Sequence, residues 1–127
     1  MTDKMKALLK DIDIETVTSL DLSLKSLTDE DIAFFNTLEF PALEILNLNF
    51  NKITTPPKLD KCKKLVLLNL YNNYLTTPPK LDGCKELKRL DLSNNYLTTL
   101  PKLDGCKKLE RLYLNNNYLT TKENNND

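Results

Sequence analysis

Histidine is absent from the 127 residues and glycine occurs only twice. Without histidine there is no Ser-His or Cys-His pair to activate a nucleophile, and two glycines are too few for a loop that cradles phosphate. Three cysteines alone also fall short of the four converging ligands of a structural zinc site. No apolar run approaches the length of a membrane-spanning helix. Net charge is lacking too: 18 basic side chains balance 18 acidic ones, so no large net field draws the chain to nucleic acid or an acidic membrane. The opening MTDKMKALLKDIDIE has neither the apolar core nor the small-residue cleavage site of a signal peptide, and the fifteen asparagines form no N-x-S/T acceptor. Together these absences argue against an enzyme, a cofactor site, a nucleic-acid binder or a membrane protein, and they favour a reducing, cytoplasmic setting.

What the chain does have is one line written four times. LEILNLNFNKI, LVLLNLYNNYL, LKRLDLSNNYL and LERLYLNNNYL begin at Leu43, Leu65, Leu87 and Leu109, a strict step of 22 residues, and each fits L-x-x-L-x-L-x-x-N-x-(L/I). A fixed period of this size denotes a solenoid, because one unit cannot bury its own apolar face and must stack on its neighbours. Within each copy leucines alternate with polar residues, as in Leu46-Asn47-Leu48, so each holds a half-buried strand. Strands that recur in one direction once per repeat pair in parallel. Asn51, Asn73, Asn95 and Asn117 close the strands, and an amide carrying both donors and acceptors suits a buried ladder across the turns. The plainer alternative is a turn-favouring Asn with no such role.

This pattern resembles the leucine-rich repeat over roughly residues 17 to 121. The short repeat and its proline-bearing connections resemble the phosphatase-regulator-like class more than the longer, helix-backed one. The resemblance implies an α/β fold: a right-handed leucine-rich-repeat solenoid of about five parallel strands on a concave face, with no catalytic, cofactor or metal residues. It also implies that the chain binds another protein. Residues 1–16 form an N-terminal cap, with a short helix over Met5, Leu8 and Leu9 and an edge strand through Ile12, Ile14 and Val17. Residues 17–121 form the solenoid, with repeats starting at Val17, Leu43, Leu65, Leu87 and Leu109, and 122–127 a disordered polar tail. The first repeat is degenerate, with Lys25 in place of Asn. Its longer connection predicts one convex helix, opened by Thr28 with Asp31 and carrying Ile32, Phe35 and Leu38 until Pro41. The later connections predict extended segments followed by a single tight turn. There Cys62, Cys84 and Cys106 form a column, read as small inward hydrophobes, with a disulfide or a metal as the competing arrangements. Asp60, Asp82 and Asp104 beside Lys58, Lys80 and Lys102 read as a solvated, charge-neutral face.

The sheet's solvent side carries the candidate binding residues. Its columns read Ser19, Ile45, Leu67, Arg89, Arg111, then Asp21, Asn47, Asn69, Asp91, Tyr113, then Ser23, Asn49, Tyr71, Ser93, Asn115. Ile45, Leu67, Tyr71 and Tyr113 have no need to be apolar there unless they meet a partner, with Arg89 and Arg111 giving the contact polarity through acidic groups and Asp91 among the binding residues. Singly exposed apolar residues are the bland alternative. Five strands give a face of roughly 19 by 17 Å, small against the roughly 800 Å² per partner of an ordinary interface. A firm complex therefore also needs the ascending edge, where Tyr74, Tyr96 and Tyr118 repeat; packing over the turn below is their alternative. A second reading makes the chain a homodimer or a piece of a longer array, joined through Leu112, Leu114 and Leu119 at an uncapped C-terminal coil.

Overall fold

Leucine at the centre of each of the three inner strands has one neighbour above it and one below, and this stacking fixes the architecture. The structure is a computed structural model that describes residues 2–120. Helix α1 (Asp3–Leu9) precedes strand β1 (Ser19–Asp21), and helix α2 (Asp29–Phe35) follows it. Strands β2 (Ile45–Asn47), β3 (Leu67–Asn69), β4 (Arg89–Asp91) and β5 (Arg111–Tyr113) then succeed one another. All five pair in parallel in the order of the chain, with Leu20, Leu46, Leu68, Leu90 and Leu112 in register. Each strand is three residues long, but its ladder continues past both ends, for instance through Ile45 N–H to Thr18 O and Leu24 N–H to Asn49 O. The expected leucine-rich-repeat solenoid of five parallel strands is therefore present.

The asparagine column does what a buried amide can do. Asn73 Nδ2 donates to Leu70 O of its own coil at 3.2 Å and to Leu48 O of the coil before at 3.0 Å, while its Oδ1 accepts from Ile53 N–H at 3.2 Å. Asn51, Asn95 and Asn117 repeat the arrangement, each reaching back one coil. Lys25 takes this position in the first coil, which has no predecessor to bridge, and its N–H still bonds Asn51 Oδ1. The turn nevertheless differs, since Ser26 as well as Leu24 adopts a positive φ.

Phe40, Cys62, Cys84 and Cys106 occupy equivalent places on the opposite side of the core, all buried, and the cysteines are free thiols. The residue shrinks after the first coil because only there does a helix hold the connection away from the sheet. Phe35 and Phe40 stack at 4.9 Å to fill that wider space. Burial pushes the thiols of Cys62 and Cys84 up to about 11, so they rest in the core as neutral hydrophobes.

Three sequence expectations need correction. Ile12, Ile14 and Val17 form no edge strand: the Asp13 carboxylate accepts from Glu15 N–H, and Asp13 O accepts from Thr16 and Val17 N–H, curling the segment into a turn that half-buries all three apolar residues. Helix α2 stops at Phe35, capped by Asn36, rather than running to Pro41, and Leu38 lies beyond it. The later connections make two successive turns, not one, since Cys62 N–H bonds Leu59 O and Cys62 O accepts from Leu65 N–H, as at Cys84 and Cys106. The proposed tail, 122–127, lies outside the described residues.

The N-terminal cap is held by one carboxylate. Asp31 accepts from the N–H and hydroxyl of Thr28 at 2.9 and 3.2 Å, and α1 covers the end of the core with the fully buried Met5. Burial pushes the Asp31 carboxyl up, but hydrogen bonds from Thr28 and Thr2 and the nearby Lys4 charge outweigh it and hold the group below the usual carboxylate range. A lowered value stabilises the fold above the unfolded value and is lost as pH falls through the folded one. Asp31→Ala is therefore expected to cost about 1–2 kcal/mol at neutral pH. Urea titrations should show the difference from the parent shrinking as pH drops below about 4.

Candidate functional site

Because Leu46 and its equivalents point inward, the residues on either side of them point out, and the pairing register assembles them into the expected columns. Ile45 pairs with Leu67, Leu67 with Arg89, Arg89 with Arg111, and Asp91 with Tyr113. Ile45, Leu67, Arg89 and Asp91 line a shallow depression of about 230 Å³ with Asn47 and Asn69. The Arg89 guanidinium lies 5.5 Å from the centre of the Tyr113 ring, a cation–π arrangement that orders both side chains.

Asp91 is turned onto its own chain. Its carboxylate accepts from Ser93 N–H at 3.0 Å and from the Ser93 hydroxyl at 2.5 Å. Asp21, Asn47 and Asn69 likewise take the N–H two residues on. This column is a series of Asx turns that end the strands, and it is replaced by Tyr113 only in the last coil.

Where the strands end, each coil needs one residue in the left-handed region. Leu24, Phe50, Asn72, Asn94 and Asn116 hold it, with φ between 56° and 60°. Asparagine tolerates this conformation; a bulky apolar side chain is strained by it. Leu24 and Phe50 are nevertheless 73% and 42% exposed, so burial does not offset that strain. Phe50 meets Tyr71 edge to face at 5.2 Å. Beside them Asn49 Oδ1 is buried without a hydrogen-bond donor among the described residues. Sequence reasoning passed over Leu24 and Phe50 because they stand at an unconstrained position of the repeat; the asparagines that fill it in three later coils were the available signal.

Tyr74, Tyr96 and Tyr118 form a continuous stack, with ring centres 5.8 and 5.6 Å apart and planes within 9° of parallel. They border Asn72, Asn94 and Asn116 around a recess of about 360 Å³. The stack turns ring edges outward and leaves one face of Tyr118, which is 64% exposed, at the end of the column. That same end shows the thinning of the core: Leu46, Leu68 and Leu90 are fully buried, whereas Leu112 is 36% exposed and Leu109, Leu114 and Leu119 are half-buried.

Comparison with known families agrees with this geometry. The family model described as leucine-rich repeats in two copies matches residues 85–126, and that described as a leucine-rich repeat matches residues 42–62. No curated protein matches the chain. Within the described residues the segments those models recognise fall on coils of the sheet, and the chain accordingly carries leucine-rich repeats.

Proposed function

We propose that this chain is a non-enzymatic module that binds another protein across the concave sheet face and the adjoining ascending edge. Leucine-rich repeats generally mediate protein–protein interaction, and the finer assignment rests on one observation. Leu24 and Phe50 keep large apolar side chains exposed in a backbone conformation that disfavours them, with Phe50 against Tyr71. Folding recovers only the edge-to-face contact of Phe50 with Tyr71, whereas a partner that covers the patch buries both side chains. Arg89, Arg111 and Tyr113 extend the surface toward the C-terminal coil, and Tyr74, Tyr96 and Tyr118 flank it.

The test uses the opposite signs of the two effects. Phe50→Asn is expected to raise stability by about 0.5–1 kcal/mol while abolishing capture of partners that the parent chain enriches from its native cell. Urea titration and comparative affinity capture measure the two. A Phe50→Asn chain that is more stable and retains every partner would overturn the assignment.

A second reading follows from the thinned core at the last coil. Self-association there would cover Leu112, Leu114 and Leu119 and pair the outer edge of β5. Sedimentation should then show a concentration-dependent dimer that Leu112→Asp dissolves, and a monomer at all concentrations would remove this reading.

A further inference from the structure

The balanced total of charge conceals a segregation along the solenoid. Residues 1–44 contain four basic and ten acidic side chains; residues 45–120 contain thirteen basic and six acidic ones. The surplus cations gather where each later coil enters its strand, in the two turns around the buried cysteine. There Lys63, Lys85 and Lys107 recur at 22 residues and are all exposed. Their coils pair in register, so the lysines stand side by side at about the 4.8 Å pitch of neighbouring strands. Like charges at that pitch repel one another. Among the described residues the only salt bridges are Lys61 to Glu39 and Lys108 to Glu86, so this column has no counterion of its own. The other lysine column, Lys58, Lys80 and Lys102, precedes Asp60, Asp82 and Asp104 by two residues, and those aspartates precede the rim lysines by three.

We propose that this rim binds an extended, acidic polypeptide segment running across the coils. The inference rests on the proposed function only in taking a protein as partner, and it names that partner's chemistry. Carboxylates of such a segment supply the counterions the lysine column lacks. Same-side residues of an extended chain repeat at about 6.6 Å, not 4.8 Å, and lysine, a point charge on a flexible stem, absorbs the mismatch. The rim runs on through Lys88 and Arg89 to Arg111, so a segment docked there continues onto the outer face of the sheet. A nucleic-acid strand fits less well. Bases need rings to stack on, and every tyrosine of this chain lies at or beyond the end of a strand, none in the lysine-bearing turns. Glu86 and Glu110 also interrupt the field that a polyphosphate would meet.

The experiment measures fluorescence anisotropy of a labelled decaglutamate peptide with the full chain at about 50 mM salt. Reversing the rim with Lys63→Glu, Lys85→Glu and Lys107→Glu together is expected to weaken binding about tenfold or more. The same charge change at Lys58, Lys80 and Lys102 should cost less than about threefold. Circular dichroism checks that both triple variants fold, and a Lys→Gln triple at the rim serves if the reversed one does not. Peptide anisotropy and affinity capture are independent readouts, so failure here and failure of the sheet-face reading are separate results. Equal losses from the two lysine columns would overturn the proposal, as would an oligothymidylate of the same length binding more tightly than the peptide. Self-association at low salt that the rim variant abolishes would overturn it too, because the acidic first 44 residues of a second copy would then be the occupant.

Discussion

Asn73→Ala is expected to cost about 2–4 kcal/mol, a large share of the roughly 5–15 kcal/mol that holds an ordinary domain together. The side chain is 2% exposed and serves Leu48 O, Leu70 O and Ile53 N–H. Its removal leaves the buried Ile53 N–H without a partner, at about 1–3 kcal/mol, and takes one of two amide donors from each of Leu48 O and Leu70 O, which keep Asn51 and Asn95. Asn117→Ala removes the same set of bonds at a position that water reaches, because no described coil lies beyond it, and should cost about half as much. Urea midpoints compared at unchanged slope give both numbers. Equal losses at the two sites would mean that the amides act only locally, as turn formers, and not as bridges between coils.

Leu68→Ala should cost about 3–5 kcal/mol, as expected for a fully buried leucine packed on both sides. Leu112→Ala makes the same deletion at the equivalent place in the last coil, where the side chain is already 36% exposed, and should cost only about 1 kcal/mol. The contrast measures how open the end of the core is in solution. A loss at Leu112 as large as that at Leu68 would show that something covers this end, and would favour the dimer reading.

Much of this architecture could be read from leucine and asparagine spacing, because a 22-residue period permits only one way to keep all the leucines on one side of a parallel sheet. The columns Ile45, Leu67, Arg89, Arg111 and Asp91, Tyr113 followed from the same register. Local chemistry that competes with the pattern was harder to see. Apolar alternation through Ile12, Ile14 and Val17 suggested a strand, yet the Asp13 carboxylate satisfies the backbone within a turn, and this local bond forms without any neighbouring strand. Likewise, Asn36 closes α2 before the helical spacing of Leu38 can be used. Leu24 and Phe50 were invisible as binding residues because their significance lies in a backbone angle, which a consensus does not record. The lysine rim was hidden by the total charge: a sum over the chain erases where each sign sits.

Every bridging amide reaches toward the coil made before it and never toward the one made after. During synthesis, then, each turn leaves the ribosome with its carbonyl held by its own asparagine but with an N–H such as that of Ile53 still open to water, and that N–H closes only when the asparagine of the following repeat arrives. The solenoid is finished in arrears, one coil late, and the most recently made coil is always the one least complete.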